Sequence, residues 1–487
     1  MNNNHNFGFM KSVKEATLSG AKWGMIEKLS VQGIRFILSL IMARLLSPGD
    51  YGQVSMIVVF IVFSDVLVDC GFNNALIRKK ERTQDDYSTV FYFNTIIAIV
   101  CYGLLFLIAP FVADFFKMPI LKALLRVQAL SVILNALFAV QLAKLTTELN
   151  FRAIAKCNFI SSLSAGCIGI IFAYIGFGVW ALVFQTLIDC IIKVIGFSII
   201  CKWKPSLRFS KESFRSMFSY GSKLLISNLI NKVYQSLTTL IIGKFYSAGD
   251  LGKYDRGTGL ASFPPDNINA VMQKVTFPIL AKLQDNEERL VDVYKKYIRM
   301  LSIVIFFSSL LLAALAKPLI LIILGSKWAG AIIFLQIYTF AVCFMHIDTV
   351  NLNLLFVKGR SDLVLKLEGI KKTLSTLVLI ASIPFGVVAI CVAKVIHTQI
   401  TIICDSYYTG KFFGYGLIRQ IRDVGSYFIF SIVACLPAFL LSFTNLNNFI
   451  VIAFGLLCAF VIYYLLLRRD EIFIEMFSII RSSLKKQ

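Results

Sequence analysis

Charged residues and proline are scarce in this sequence. Only 16% of its 487 residues are charged and 10 are proline, whereas 57% are hydrophobic and the mean hydropathy is +0.76. A soluble domain is roughly half apolar, so a soluble core could not hide this much apolar surface. Long uncharged runs such as TIIAIVCYGLLFLIAPFV approach the ~20 residues that span a bilayer as a helix. The sequence therefore predicts a polytopic membrane protein.

The motifs of common enzyme and metal chemistries are also missing. No phosphate loop GxxxxGK[ST], no HExxH and no GxSxG occurs, which argues against ATP use and hydrolysis. The 11 cysteines form no CxxC pair, and the three histidines stand apart from them. Cysteine is interpreted as packing material, and no metal or organic cofactor is expected. The first twenty residues lack an apolar core with a cleavage site, so no removable signal peptide is predicted.

Apolar runs separated by polar, glycine or proline breaks give fourteen candidate spans. When the amino terminus is placed in the cytoplasm, 34 of the 49 lysines and arginines fall on the inner side and 8 on the outer side. Short cytoplasmic loops are enriched in these residues. The net charge of +22 is therefore a topology signal rather than evidence of a nucleic-acid partner, and both termini are predicted to be cytoplasmic. The spans are predicted at residues 22–45, 51–77, 87–111, 120–145, 153–175, 178–200, 218–246, 251–281, 298–320, 329–357, 363–383, 385–408, 424–442 and 449–467.

A repeat relates two parts of the chain. LSPGDYGQV at 46–54 returns as YSAGDLGKY at 246–254, and FGVWA at 177–181 returns as FGVVA at 385–389. The prediction is an all-α protein of about 14 transmembrane helices, with six-helix lobes in residues 1–205 and 206–415 and a terminal helix pair and tail in 416–487. Because six is even, the lobes are parallel repeats, and transport sites commonly lie between repeats. The alternative is that duplication built only a stable scaffold.

The repeated turn itself is interpreted as structural. Pro48 and the glycines fit a tight turn, and Asp50 and Asp250 are suited to cap the following helix. The turns join the first two helices of each lobe on the predicted outer side. Function is therefore sought on the helices that they connect.

The first helix of each lobe carries a polar stripe, with residues spaced i, i+4, i+7 and i+11 on one helical face. The stripes are expected to face each other across the interlobe space. A cation at membrane depth costs at least a few kcal/mol unless it pairs or faces water. Either these cations pair with Glu27, Asp65 or Asp69, or they form a wet cavity in which arginine holds an anionic headgroup. The stripes are Lys28, Gln32, Arg35 and Ser39, and Asn228, Lys232, Gln235 and Thr239.

Carboxylates lie within the second and eighth spans. Asp65 and Asp69 are one turn apart, and Asp266 lies on a comparable face. Such groups suit a proton or cation relay, or they serve as counter-ions for Arg35 or Lys28. Arg256 either extends the cationic surface or lies at the outer interface.

Three further features have local interpretations. FPP at 263–265 predicts a bend in the eighth span, because proline lacks the amide and clashes with the preceding turn. Asp189 and Lys193 are expected to form an i, i+4 ion pair. His346 and His397 are interpreted as satisfied packing groups.

Several stretches resemble the polysaccharide-transporter branch of the multidrug/oligosaccharidyl-lipid/polysaccharide exporter superfamily, the Wzx-type oligosaccharide flippases. They are LLSPGDYGQV, ALIRKKERTQDDYSTVFYFNTIIAIVCYGLLFLIAPFVADFF, LLRVQALSVI and LNFRAIA, and the resemblance covers most of residues 15–420. It implies two lobes around a V-shaped cavity and movement of undecaprenyl-diphosphate-linked glycans from the inner to the outer leaflet. Related flippases use basic residues on helices one and eight, which Lys28, Arg35 and Arg256 match in place.

Together these observations predict a flippase of the bacterial cytoplasmic membrane, not an enzyme, that works by alternating access in O-antigen, capsule or exopolysaccharide biosynthesis. The coupling ion would be a proton or sodium. Its partners would be the lipid-linked glycan, membrane lipids, and possible polymerase and glycan-assembly proteins. The predicted substrate-binding residues are Lys28, Gln32, Arg35, Lys232, Gln235 and Arg256, and the predicted ion-coupling residues are Asp65 and Asp69.

Two alternatives stay open at this point. A cation-coupled drug antiporter of the same superfamily would use cavity carboxylates, although Lys28, Arg35 and Lys232 would repel cationic substrates. A membrane scaffold of a glycan-synthesis complex would not transport at all. Charge-reversing substitutions on the polar stripes would then leave function nearly unchanged.

Overall fold

The structure is a computed structural model that describes residues 31–79, 81–283 and 285–484. Within these residues every regular element is a helix, in agreement with the all-α prediction. The first nine helices are α1 (31–45), α2 (Pro48–Asp69), α3 (Phe72–Arg78), α4 (Gln84–Phe115), α5 (Ile120–Gln128), α6 (Leu130–Thr147), α7 (Phe151–Tyr174), α8 (Val179–Cys201) and α9 (Lys211–Phe245). The others are α10 (Ala248–Lys282), α11 (Glu287–Ala314), α12 (Ala316–Ile323), α13 (Ala331–Val342), α14 (Met345–Val357), α15 (Ser361–Ser382), α16 (Val387–Phe413), α17 (Leu417–Leu441), α18 (Asn448–Leu467) and α19 (Glu471–Leu484).

Ten helical stretches among the described residues are long and apolar enough to cross a membrane. The chain is therefore a multi-pass membrane protein. Helices α9, α10 and α15 also match predicted spans but carry more charged residues, and α1 is described only from residue 31 onwards. The number of fourteen spans and the six-helix lobe arrangement stay predictions.

Four predicted spans are interrupted, so that each consists of two helices. The span 51–77 becomes α2 and α3, because Cys70 and Gly71 adopt left-handed backbone angles with φ of 45° and 71°. Such angles are uncommon outside glycine and end the helix. A Cβ atom added to Gly221 of α9 would overlap the Cys70 carbonyl oxygen, so glycine allows α9 to approach this corner. The other interruptions separate α5 from α6, α11 from α12 and α13 from α14.

The chain divides into two compact units, with the boundary between Gly252 and Lys253. In unit 1, α9 packs against α2, α3 and α4, although the repeat assigns α9 to the second predicted lobe. In unit 2, the terminal helices α17 and α18 pack against each other and against α11 and α12, respectively. The lobes 1–205 and 206–415 and the terminal pair in 416–487 are defined by the repeat and stay predictions.

Close packing and buried hydrogen bonds hold each unit together, because lipid tails are as apolar as a protein core and provide little hydrophobic driving force between helices. In unit 1, buried Phe72, Val90 and Met217 belong to a cluster that joins α3, α4 and α9. In unit 2, Tyr294 and Phe306 of α11 belong to a larger cluster that also includes residues of α14, α17 and α18. The rigid framework of each unit comes from these contacts.

Both repeated turns carry the same capping arrangement. The Ser47 Oγ accepts a hydrogen bond from the Asp50 amide at 3.2 Å, and the Asp50 carboxylate accepts one from the Ser47 amide at 2.8 Å. At the second turn, the Asp250 amide donates to the Ser247 Oγ at 3.1 Å, and that hydroxyl donates to the Asp250 carboxylate at 2.7 Å. The structural interpretation of the turn is confirmed, with the correction that Ser47 rather than Asp50 is the N-cap of α2.

The two turns also contact each other within unit 1. A Cβ atom added to Gly52 would overlap the Ala248 carbonyl oxygen, and one added to Gly252 would overlap the Pro48 carbonyl oxygen. Only glycine at these two positions allows the backbones to approach this closely. The repeated glycines therefore serve a contact between the turns as well as the turns themselves.

The proline pair does not end the eighth predicted span. Helix α10 continues from Ala248 to Lys282 through Pro264 and Pro265. The Asn267 side-chain amide donates to the Phe263 carbonyl oxygen at 2.7 Å. This bond adds a side-chain donor to the turn that contains the prolines. The bend stays a prediction.

Candidate functional site

Arg35 lies on α1, where this helix closely approaches α7. A Cβ atom added to Gly166 of α7 would overlap the Leu38 side chain, so the small residue sets the short distance between the helices. At this approach the Arg35 Nε donates to the Ser162 Oγ at 2.8 Å. The Arg35 Nη2 lies 3.8 Å from the Asp189 Oδ2 on α8. The hydroxyl thus orients a guanidinium group whose side chain is still 53% exposed.

Two cations share one carboxylate oxygen at this site. The Lys193 Nζ lies 2.5 Å from the same Asp189 Oδ2, which confirms the predicted i, i+4 pair. The Asp189 Oδ1 has no hydrogen-bond partner among the described residues. The short lysine distance and the longer arginine distance indicate that Lys193 is the main counter-ion. The interpretation that paired Arg35 with Asp65 or Asp69 is corrected, because the carboxylate near it is Asp189.

The carboxylates predicted to couple an ion face amides. The Asn135 side-chain amide donates to both carboxylate oxygens of Asp65, at 3.3 and 3.4 Å, and the Cys190 thiol donates to the Asn135 side-chain oxygen Oδ1 at 3.4 Å. The Asn73 side-chain amide donates to the Asp69 carboxylate at 2.6 Å. Both aspartates are half-buried. An amide donor stabilises a carboxylate without supplying a countercharge, so ion coupling at these residues stays a prediction.

The remaining predicted site residues are spread over both units. On α9, the Lys232 Nζ donates to the Gln235 Oε1 at 3.2 Å, so two members of the second stripe contact each other. Gln32 is half-buried on α1, and Arg256 is half-buried on the part of α10 that belongs to unit 2. Lys28 lies outside the described residues. The facing of the two stripes stays a prediction.

Unit 2 contains a buried ion cluster that the sequence analysis missed. Lys371 of α15 has a side chain that is 4% exposed, and its Nζ lies 3.0 Å from Asp405 of α16, which is fully buried. The same Nζ lies 2.8 Å from Glu368 and 3.8 Å from Asp348 of α14. Lys372 lies 3.6 Å from the other oxygen of Glu368. One buried ammonium therefore connects three helices.

The sequence carried a signal for this cluster. Asp348 and Asp405 lie inside predicted spans, where a carboxylate requires a partner. Lys371 also lies inside a predicted span, 363–383, which corresponds to α15. Nothing in the linear spacing brings a residue of α14 beside residues of α15 and α16, so the cluster became visible only in three dimensions.

A second polar network lies in unit 2. The Asn351 and Gln420 side chains form hydrogen bonds with each other and with the Ser406 hydroxyl, at 3.0 to 3.2 Å. The Tyr294 hydroxyl donates to the Asn351 side-chain oxygen Oδ1. All four residues are fully buried. Because the polar groups satisfy one another, the network holds α11, α14, α16 and α17 in register.

Beside this network, a cluster of polar side chains links α11 to α17 and to the turn before α17. The Arg299 Nη2 lies 2.9 Å from Asp423, and Tyr415 donates to the same carboxylate at 2.6 Å. Burial and, to a smaller extent, this hydrogen bond raise the pKa of Tyr415, so that its hydroxyl remains a donor.

Buried His346 contacts the Ser302 hydroxyl at 2.8 Å and the Cys343 carbonyl oxygen at 2.9 Å, as expected of a packing group. Among the described residues, no group of three or more His, Cys, Asp or Glu side chains is placed to hold a metal ion.

Solved structures place this fold among helical membrane transporters. The lipid II flippase MurJ in an inward closed conformation matches with a TM-score of 0.70 and 15% identity, covering 91% of this chain and 99% of that one. An inward-facing multidrug resistance transporter of the MATE family matches with a TM-score of 0.61 and 14% identity, covering 82% and 98%. At these identities the likeness shows the fold alone.

The family follows from the sequence comparison. The model of the family described as "Polysaccharide biosynthesis protein" matches residues 41–333, and the chain belongs to this family. It is 25% identical to the lipopolysaccharide biosynthesis protein WzxC of Escherichia coli K12, covering 74% of each chain. It is also 25% identical to the teichuronic acid biosynthesis protein TuaB of Bacillus subtilis 168, covering 73% of this chain and 74% of that one. These findings confirm the resemblance drawn from the motifs.

Proposed function

We propose that the protein is a flippase that moves undecaprenyl-diphosphate-linked oligosaccharide repeat units from the cytoplasmic to the outer leaflet of the bacterial cytoplasmic membrane. The observation that carries this proposal is that the Arg35 guanidinium is half-exposed and that two cations, Arg35 and Lys193, lie beside one carboxylate, Asp189. Membership of a polysaccharide biosynthesis family and the names of the relatives WzxC and TuaB support the substrate class. The product would supply a surface polysaccharide pathway.

The geometry around Arg35 suits an anionic headgroup. Ser162 accepts the Nε hydrogen bond, and the 3.8 Å separation from Asp189 exceeds hydrogen-bond distance. Lys193 balances the Asp189 carboxylate, so the guanidinium keeps its positive charge and its terminal N–H groups for a ligand. A planar fork of this kind holds two phosphate oxygens at once. Lys28, Gln32, Lys232, Gln235 and Arg256 are proposed to complete the polar surface that receives the diphosphate and the first sugars.

The transport step makes and breaks no covalent bond, so the protein is proposed to be a transporter and not an enzyme. Its two lobes would alternate between inward and outward openings while the lipid tail stays in apolar surroundings. An almost entirely apolar groove of about 640 Å³ in unit 2, between α11, α12, α18 and α19, offers such surroundings.

Both termini are proposed to be cytoplasmic, because most lysines and arginines then lie on the inner side. A polymerase and other glycan-assembly proteins are proposed partners.

Replacement of Arg35 tests the proposal. Arg35→Gln, produced in a strain that lacks its own flippase, should reduce surface polysaccharide at least about tenfold, because charge-assisted hydrogen bonds contribute about 1.5–3 kcal/mol each. Arg35→Lys should retain partial activity, since it keeps the charge but not the fork. Lys156→Gln is the matched control, because Lys156 is an exposed cation on α7. Protein amounts are equalised by immunoblot, and full polysaccharide from Arg35→Gln would refute the role of this residue.

The same experiment separates the alternatives. A drug antiporter would give drug resistance that depends on Asp65 or Asp69 and tolerates Arg35→Gln. A scaffold without transport would retain polysaccharide even when Arg35 and Lys232 are both changed to glutamate. The flippase alone requires the positive charge.

Asp65 and Asp69 are proposed to couple transport to a proton or sodium gradient. Their half-buried carboxylates face amides rather than cations, so a bound proton or sodium ion could supply the missing positive charge. In reconstituted vesicles, an imposed gradient of the coupling ion should change the flipping rate, and Asp65→Asn should abolish that response. If neither gradient alters the rate of the unmodified protein, these carboxylates serve only in packing.

A further inference from the structure

Unit 1 contains a cavity of about 480 Å³ that the proposed substrate site does not use. It is bounded by α4, α6, α8 and the linker between α8 and α9. Its walls include aliphatic side chains, one amide side chain, and two lysines next to a tryptophan. The residues that matter here are Leu137, Gln141, Val194, Lys202, Trp203 and Lys204.

The linker that carries the basic residues is fixed against α4. The Trp203 Nε1 donates to the Gln84 Oε1 at 2.7 Å, and the Gln84 Nε2 donates to the Lys204 carbonyl oxygen at 2.7 Å. Lys202 adopts a left-handed conformation with φ of 47°, which is uncommon for a residue with a side chain. The linker is therefore a preformed wall of the cavity.

Two kinds of polar group in the walls lack partners. Gln141 is 5% exposed, and its Oε1 has no hydrogen-bond partner among the described residues. A buried acceptor without a donor is unfavourable, so a rotation of the Gln141 side chain that brings Oε1 to a ligand hydroxyl would be stabilising. Lys202 and Lys204 are exposed, and across residues 31–79, 81–283 and 285–484 their ammonium groups form no ion pair with a carboxylate. The cavity thus offers two cations beside an amide whose oxygen lacks a donor.

We infer that this cavity binds an anionic phospholipid with a hydroxylated headgroup, of the phosphatidylglycerol type. The phosphate contacts Lys202 and Lys204, a headgroup hydroxyl donates to Gln141, and an acyl chain lies along Leu137 and Val194. Trp203 is suited to the level of the headgroups. The positive-inside rule places this linker at the cytoplasmic leaflet. The inference does not depend on the transported substrate.

Native mass spectrometry of the full chain in detergent tests the inference. The probes are phosphatidylglycerol, phosphatidic acid and phosphatidylcholine with identical acyl chains. The double change Lys202→Gln with Lys204→Gln should weaken phosphatidylglycerol binding roughly tenfold or more, because each basic residue contributes measurably to anionic lipid binding. Arg208→Gln, an exposed cation in the same linker that does not line the cavity, should bind as the unmodified protein does.

Gln141→Leu tests the hydroxyl contact separately. It should weaken phosphatidylglycerol binding and leave phosphatidic acid, which lacks the headgroup glycerol, unchanged. Equal binding of phosphatidylglycerol by the double variant and the Arg208→Gln control would overturn the inference. Equal binding of phosphatidylcholine by the unmodified protein, or full displacement of lipid by millimolar inorganic phosphate, would also overturn it. If the double variant aggregates, the lipid preferences of the unmodified protein and of Gln141→Leu test the inference instead.

Discussion

The ion clusters of the two units use the same kinds of side chain with opposite balance. In unit 1, two cations share one carboxylate and the Arg35 side chain is half-exposed. In unit 2, Lys371 and Lys372 face three carboxylates, and the central ammonium is buried. An exposed excess of charge remains available to a ligand, whereas a buried cluster is committed to the helices that it joins. The comparison therefore supports the proposed binding role of Arg35 and indicates a structural role for Lys371.

The repeat sharpens this comparison. At the offset of 208 residues, Lys371 corresponds to Leu163 and Asp405 corresponds to Phe197. Phe197 is fully buried in unit 1 and stacks on Phe138, so packing replaces the ion pair there. Corresponding positions of the repeat therefore hold either a buried ion pair or apolar packing.

The largest expected effect is on stability, from Lys371→Met. This change leaves Asp405 buried without its ammonium, and removal of one partner of a buried ion pair costs about 3–5 kcal/mol. Thermal unfolding in detergent should show a clear loss of stability. The double change Lys371→Met with Asp405→Leu should recover part of it, because the fully buried carboxylate is removed together with its countercharge, whereas Asp348 and Glu368 still lack the ammonium. Lys366→Met, at an exposed position of the same helix, is the matched control.

The contrasting effect is expected from Lys193→Met in unit 1. Without this lysine, Asp189 loses its closest countercharge and should draw Arg35 into a tighter ion pair. Anion binding and flipping should fall clearly, while stability should fall less than in Lys371→Met, because Arg35 takes over as the countercharge of Asp189. Adding Asp189→Asn should restore activity, since the competing carboxylate is then removed. Flipping in vesicles and thermal unfolding provide the two readouts, and a stability loss as large as that of Lys371→Met would break the comparison.

The different predictability of these clusters has a physical cause. The Asp189 and Lys193 pair follows from helical spacing, and the capped turns follow from residues only three apart. Local composition likewise predicts helix boundaries close to those of the structure. Arg35 beside Asp189, and Lys371 beside Asp405, depend on which helices pack together. That information is non-local, so it was absent from the periodicity.

The helix breaks show the same limit. Residues 51–77 are predicted as one continuous span, yet left-handed Cys70 and Gly71 divide it into α2 and α3. Gly71 suits a left-handed corner, so the sequence permits a break here. The packing of Gly221 on α9 against the Cys70 carbonyl oxygen is visible only in the structure. The candidate substrate surface was therefore predictable as a polar stripe on α1, whereas the partners that set its charge were not.

The smallest expected effect concerns what the repeats share, the two capped turns. Ser47→Ala and Ser247→Ala each remove a side-chain acceptor for the amide of an aspartate three residues later. Loss of such a cap costs about 1 kcal/mol. Because the two turns make matching hydrogen bonds, the two variants should lose similar amounts of stability in thermal unfolding. Flipping per folded molecule should remain close to that of the unmodified protein, since neither serine belongs to an ion cluster. Ser227→Ala, at an exposed position on α9, is the control. A loss of transport from one serine variant alone, at unchanged stability, would show that the two turns differ in function.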